Sequence, residues 1–191
     1  IASALATRAV KTGPSPNFTL ITRDGKFAYV SNTGNNTLSE IDLGKWQVTR
    51  TFDSGPSPEH LVFSPDQKTI YVANARAGTV SSVSVSSGKI VRTDTVGKRT
   101  HGLDIGDEGK TLFATSTQEN KLVAIDSASG QQRTVTLSPG PYHLGVIPDT
   151  GKLYVSSRSQ PMIWVVDQKT LNTIHTIRFP KGEGHQIAVM K

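Results

Sequence analysis

The sequence predicts an all-β chain assembled from copies of one four-stranded unit, and three observations carry that prediction. Gly13-Pro14-Ser15-Pro16 and Gly55-Pro56-Ser57-Pro58 are identical tetrapeptides 42 residues apart, and two further steps of 42 reach Gly97 and then Pro139 beside Gly140. The composition favours strands and tight turns: Ser, Thr and Val are abundant, Glu is scarce, and 17 Gly and 10 Pro punctuate 191 residues. No segment carries a convincing helical period of apolar residues.

The units run over about 13–54, 55–96, 97–138 and 139–180. The first strand of the unit is clearest in the second copy, His60-Leu61-Val62-Phe63. It ends at Ser64-Pro65-Asp66-Gln67, where Pro presets φ for a type I turn and Asp suits the position after it. The second strand is Phe27–Val30, Thr69–Ala73, Thr111–Ala114 and Leu153–Ser156 in the four copies. It reads as a nearly continuous apolar run, as expected of a strand covered on both faces. The third strand closes at Asp42, Ser84, Asp126 and Asp167, and a fourth follows, Ile90–Val96 in the second copy. Lys26, Lys68, Lys110 and Lys152 keep the 42-residue spacing, as do Tyr29, Tyr71 and Phe113. In the fourth copy one residue is missing before Tyr154 and regained after Asp167. Four short antiparallel strands repeating at this interval are the signature of a β-propeller blade.

Tyr29-Val30-Ser31-Asn32, Tyr71-Val72-Ala73-Asn74 and Tyr154-Val155-Ser156-Ser157 resemble the Tyr-Val-Thr-Asn repeat of bacterial and archaeal propellers, the YVTN family. Ser64-Pro65-Asp66 with Lys68 is similar to that family's Ser-Pro-Asp-Gly-Lys turn. Val123-Ala124-Ile125-Asp126 and Trp164-Val165-Val166-Asp167 resemble its Val-Ile-Asp strand end. Thr100-His101-Gly102 keeps the family's His-Gly, whereas Pro58-Glu59-His60 departs from it. The likeness spans residues 13–189 and implies a ring of seven blades, in a family of scaffolds outside the cytoplasm.

Residues 1–12 are expected to be the last strand of a preceding blade, and 181–191 the first strand of a following one. The expectation is four whole blades of one propeller domain, with about two or three more blades, or a second copy, needed to cover the open faces. The chain has no Cys. That excludes disulfides, thiolate metal sites and cysteine nucleophiles, and fits a periplasmic or extracellular location. No stretch of about 18 apolar residues is present to span a membrane as a helix.

Counting by 42 places Asn17, Glu59, His101, His143 and His185 in one slot, at the start of each blade's first strand. Being innermost, these strands would ring one mouth of the channel. Glu59, His101, His143 and His185 offer carboxylate and imidazole ligands for a divalent metal or a haem iron. Against this, first-row metals need bonds of about 2.0–2.2 Å, so only a narrow mouth unites three imidazoles. The alternative for the same histidines is a structural role, bonding backbone within their loops. Arg99 and Arg158, with Arg76, Lys98 and Lys181 and with Asn32, Asn35 and Asn36, are expected in loops on this face. Tyr142 is expected at the rim as a stacking surface for an anionic ligand. The four spaced lysines fall on the opposite face, where an acidic partner is weighed against plain solvation. His175 is expected on the outside of a strand.

No G-x-S-x-G, H-E-x-x-H, phosphate loop or C-x-x-C-H occurs. A charge of +6 without a basic stripe interleaved with aromatics argues against nucleic acid. The residues therefore favour a non-enzymatic scaffold outside the cytoplasm that binds a protein partner or small ligand across its channel face, without a cofactor. The alternative is a metal-dependent lactonase-like, lyase-like or haem-handling propeller using the His/Glu ring.

Overall fold

The structure, a computed structural model, describes residues 8–187. The first blade comprises β1 (Pro16–Ile21), β2 (Phe27–Asn32), β3 (Thr37–Asp42) and β4 (Gln47–Asp53). The second comprises β5 (Pro58–Phe63), β6 (Thr69–Asn74), β7 (Thr79–Ser84) and β8 (Ile90–Thr95). The third holds β9 (Thr100–Gly106), β10 (Thr111–Ser116), β11 (Lys121–Asp126) and β12 (Gln132–Thr136), with a 3-10 turn at Asp107–Gly109. The fourth holds β13 (Pro141–Ile147), β14 (Lys152–Ser157), β15 (Met162–Asp167) and β16 (Thr173–Arg178). Each blade is one antiparallel sheet with its strands in chain order. The innermost strands pack in succession, β1 on β5, β5 on β9 and β9 on β13.

The core lies between blades. Tyr29, Leu38 and Phe52 of the first meet Leu61, Ile70 and Val72 of the second. Tyr71 and Val80 meet Leu112 and Val123 of the third, and Phe113 and Leu122 meet Leu153 and Trp164 of the fourth. Both faces of the middle strands are thus buried, which is why they read as apolar runs.

Polar repeat residues join the parts. Asp42 Oδ1 accepts from the N–H groups of Gly44 and Lys45, both at 2.9 Å, and Asp126 and Asp167 hold the equivalent turns. Lys26 and Lys68 are exposed and each lies within 4 Å of the Asp in its own turn, which offsets the lysine arc's charge. Asn32, expected in a loop, is instead buried at the end of β2. Its Nδ2 donates to Thr37 Oγ1 and Ser39 Oγ, and Asn74 repeats the pattern. From the outer strands, Arg50 donates to the carbonyls of Val85 and Ser86, Arg92 to those of Ser127 and Ala128, and Arg133 to that of Lys169. Each arginine ties its blade to a turn of the next.

The register locates the residue missing from the fourth copy. β4, β8 and β16 each carry a bulge, at Thr49, Val91 and Ile174, whereas β12 pairs with β11 without one. The contraction is that lost bulge. It precedes the whole fourth blade, so equivalent residues in the third and fourth blades are 41 apart: Thr100 faces Ser116 as Pro141 faces Ser157. His175 falls just after the bulge of β16 and is exposed, as expected.

The strand expected over 1–12 lies partly outside the described residues, as does that over 181–191. In the described parts, 8–12 and 181–187, the backbone forms no strand. A strand persists where a partner ladder takes its N–H groups. That of Gly184 goes singly to the carbonyl of Ser157, at 3.1 Å.

Candidate functional site at the channel mouth

Each inner strand breaks register near its start, between Pro16 and Thr19, Pro58 and Leu61, Thr100 and Leu103, and Pro141 and Leu144. Two residues per blade sit in this irregularity, which re-aims their side chains. The first place holds Asn17, Glu59, His101 and Tyr142, and the second holds Phe18, His60, Gly102 and His143. The count by 42 had set His143 beside His101. Because of the missing bulge, Tyr142 takes that place and His143 shares one with His60.

In the first, third and fourth blades, N–H groups released by the bulges are satisfied by hydroxyls of the neighbouring strand. Phe18 N donates to Ser31 Oγ at 3.0 Å, Gly102 N to Thr115 Oγ1 at 2.9 Å and His143 N to Ser156 Oγ at 3.2 Å. Two of these hydroxyls then donate across to the next blade, Ser31 to the Glu59 carbonyl at 2.7 Å and Thr115 to the Tyr142 carbonyl at 2.6 Å. In the first and third blades the residue at the third place of the Tyr-Val-Ser-Asn repeat thereby bonds the blade to the next one at the mouth.

The two rows form one cluster. Glu59 accepts a hydrogen bond from Nδ1 of His101, whose ring stacks on Tyr142 with centroids 3.8 Å apart and planes at 6°. The Arg158 guanidinium carbon lies 4.7 Å from the Tyr142 ring centre. His101 Nε2 approaches His143 Nε2 to 3.1 Å. The His60 ring lies 4.4 Å from that of His143 and 4.8 Å from that of His101. One nitrogen from each of His60, His101 and His143 lies within 4.8 Å of the other two.

Burial, then the proximity of the His101, His143 and His185 imidazoles, pushes His60 down to about 2. Burial, then His101 and His185, pushes His143 down to about 3. Both rings are neutral near pH 7 and offer lone pairs. Burial pushes the Tyr142 phenol up, against the opposing charges of Arg158 and Arg99.

The residues expected here divide accordingly. Glu59, His101, Tyr142 and His143 come together. Asn17 does not: it is exposed, and Phe18 takes the inward place, its ring 4.8 Å from that of His60. His185 is exposed in a segment without strand, its ring 5.3 Å from His143, and lies outside the three-imidazole group. Tyr142 is buried among His101, Arg158 and His143 and is a wall of the cluster, not an open rim platform. Arg99 and Arg158 are exposed beside it. Glu59 bonds a histidine and stands behind the imidazoles. The residue that the count passed over is His60, one place off the ring; the adjacent pair Glu59-His60 at a bulge was the available signal.

Below the cluster, residues of all four inner strands, among them Leu20, Leu61, Leu103 and Val146, line an open groove of about 850 Å³ that includes His60 and His143. No helix among the described residues is long and apolar enough to cross a membrane.

The family model described as YNCE-like beta-propeller matches residues 2–141. Among solved structures, Kuenenia stuttgartiensis hydrazine synthase superposes with a TM-score of 0.82 at 21% identity, over 94% of this chain and 52% of that one. The β-propeller domain of Cps50 (Swd1) from Myceliophteria thermophila superposes with a TM-score of 0.79 at 14% identity, over 95% of this chain and 60% of that one. The chain thus spans half to three-fifths of the length of these structures, and the likeness concerns the fold. Curated protein sequences contain no match to it.

Proposed function

This chain belongs to the YNCE-like β-propeller family, and from that premise we propose that it is a non-enzymatic binding propeller of the YVTN kind, working outside the cytoplasm and taking a small anionic ligand at its channel mouth. One observation carries the reading: Glu59, His60, His101, Tyr142 and His143 converge from three blades onto one mouth, with the Arg99 and Arg158 cations exposed beside it. Ligand sites are concave, with a few convergent polar groups, and the groove beneath the cluster supplies the concavity. Burial pushes His60 and His143 down, away from the neutral range in which a general acid or base works best, and this favours binding over proton transfer at these two rings. The absence of Cys supports the location. The family resemblance supports a ring of seven blades, of which this chain supplies four.

The test is a thermal-shift series with mono- and dicarboxylates, run with an uncharged chelator such as 1,10-phenanthroline present. A carboxylate at a hundred times its Kd stabilises by about 2.7 kcal/mol, several degrees in a chain of this size. The expected result is a rise for the intact protein that disappears in an Arg99→Ala/Arg158→Ala variant of unchanged basal melting. A flat response from every carboxylate at millimolar concentration overturns the reading and leaves a protein partner as the occupant of this face.

A further inference from the structure

We propose that His60, His101 and His143 form a three-imidazole site for a zinc-class divalent ion, with Glu59 orienting His101 and the fourth coordination position open to the groove. The inference names a ligand for the mouth already described and rests on reading that mouth as a binding site. It stands on four features of the geometry.

The first is the distance between nitrogens. Two ligands bound tetrahedrally to one ion at 2.0–2.1 Å lie roughly 3.3–3.4 Å apart. The Nε2 atoms of His101 and His143 are already at 3.1 Å. One nitrogen of His60 lies within 4.8 Å of a ring nitrogen of each, so closure needs movement of about 1.4 Å at most, within reach of a side-chain rotation.

The second is the partner of the far nitrogen. With Glu59 accepting at Nδ1, the neutral tautomer of His101 that keeps its proton on that nitrogen presents Nε2 as a lone pair. A carboxylate behind a ligating histidine fixes tautomer and ring orientation and makes the imidazole a better donor. It also places one negative charge beside an otherwise uncharged ligand set.

The third is rigidity. His101 is stacked on Tyr142 and His143 has its backbone N–H on Ser156, so the two close rings are held while His60, beside Phe18, is the one that closes on them. The fourth is access: His60 and His143 line the groove, so a water or anionic ligand can reach the remaining position. Three neutral nitrogens without a direct carboxylate select Zn²⁺, Co²⁺, Ni²⁺ or Cu²⁺ over Mg²⁺ and Ca²⁺, which take oxygen.

The experiment titrates untagged protein, stripped with chelator, with Co²⁺, Zn²⁺ and Mg²⁺ in buffer free of organic anions. The expected result is one Co²⁺ per chain with visible d–d absorption, displaced by Zn²⁺ and untouched by Mg²⁺, and a melting temperature raised by Zn²⁺ and lowered again by chelator. His101→Ala and His143→Gln each abolish the absorption, while His175→Ala, on the outside of β16, retains it. Glu59→Gln weakens binding by about 10–100-fold. Melting in chelator shows which variants are folded, and the response of the intact protein does not depend on them. No Co²⁺ absorption in the intact protein, or absorption that survives His101→Ala and His143→Gln, overturns the proposal. The 3.1 Å contact is then an ordinary imidazole–imidazole hydrogen bond. Carboxylate binding that persists with chelator present leaves the ligand-binding reading standing even if the metal fails.

Discussion

His143 holds in the fourth blade the place that His60 holds in the second, and their rings meet at 4.4 Å across the intervening third blade. They can meet because the same place in the third blade is Gly102. A Cβ there would stand 2.3 Å from the Tyr142 carbonyl oxygen and 3.0 Å from the Leu144 nitrogen, both backbone atoms. Gly102→Ala is therefore expected to push β9 and β13 apart, at the 1–3 kcal/mol or so typical of overpacking. The melting temperature falls by several degrees and the mouth opens. Unchanged melting with an unchanged His101–His143 contact would show that the strands are not held at this spacing.

Thr115 connects the same strands from the other side. Its hydroxyl accepts from the Gly102 N–H and donates to the Tyr142 carbonyl, all of it buried. Thr115→Val keeps the shape and removes both bonds, leaving a buried N–H without a partner. The expected cost is about 1–3 kcal/mol, read by chemical denaturation. The second blade supplies an internal comparison: Ala73 holds the equivalent place without a hydroxyl, so Ala73→Gly loses no hydrogen bond there.

Arg92 tests the ties between blades. Its Nε donates to Asp94 at 2.8 Å, and its Nη1 reaches the carbonyls of Ser127 and Ala128 in the third blade at 2.8 and 3.1 Å. Arg92→Met keeps much of the stem and strands both the mostly buried Asp94 carboxylate and the two carbonyls. A loss of about 2–4 kcal/mol is expected, and Arg92→Lys, a point charge without the fork, recovers part of it. Full stability in Arg92→Met would reduce the latch to a surface contact.

The fold was legible because each repeated residue does one local job. Asp42, Asp126 and Asp167 hold turns, Asn32 and Asn74 cross-link strands, and Tyr29, Tyr71 and Phe113 fill the layers between blades. The site was legible only in part, because counting along a sequence is blind to bulges. The bulge absent from β12 moved every residue of the fourth blade by one place, exchanging Tyr142 and His143. The bulges at the starts of the inner strands brought two residues per blade to the mouth, so His60 joined a cluster that a single-slot count could not include. Where a hydrophobic layer dictates register, periodicity suffices; where the ladder is broken, only the pairing shows which side chain turns inward.

Glu40 gives the fold a pH dependence that a single substitution isolates. It is almost wholly buried and accepts from Arg50, Thr49 and Tyr29, the last at 2.8 Å. Burial alone would raise its pKa, but these donors together hold the carboxyl below its ordinary value, while burial and the carboxylate push the Tyr29 phenol up. Since Glu40 binds its proton less readily folded than unfolded, the unfolded state takes up more protons in acid. Its stabilisation is complete above the unfolded value near 4.5 and is lost as pH falls from there through the lower folded value. Glu40→Gln removes the titrating group and leaves Arg50, still bonded to Val85 and Ser86, without its anion. At pH 7 the variant should be weaker by about 1–3 kcal/mol. Below pH 4.5 its denaturation midpoint should fall less steeply than that of the parent, so the two curves converge in acid. Parallel curves from pH 7 to pH 3 would mean that the Glu40 carboxyl titrates alike in the folded and unfolded chain.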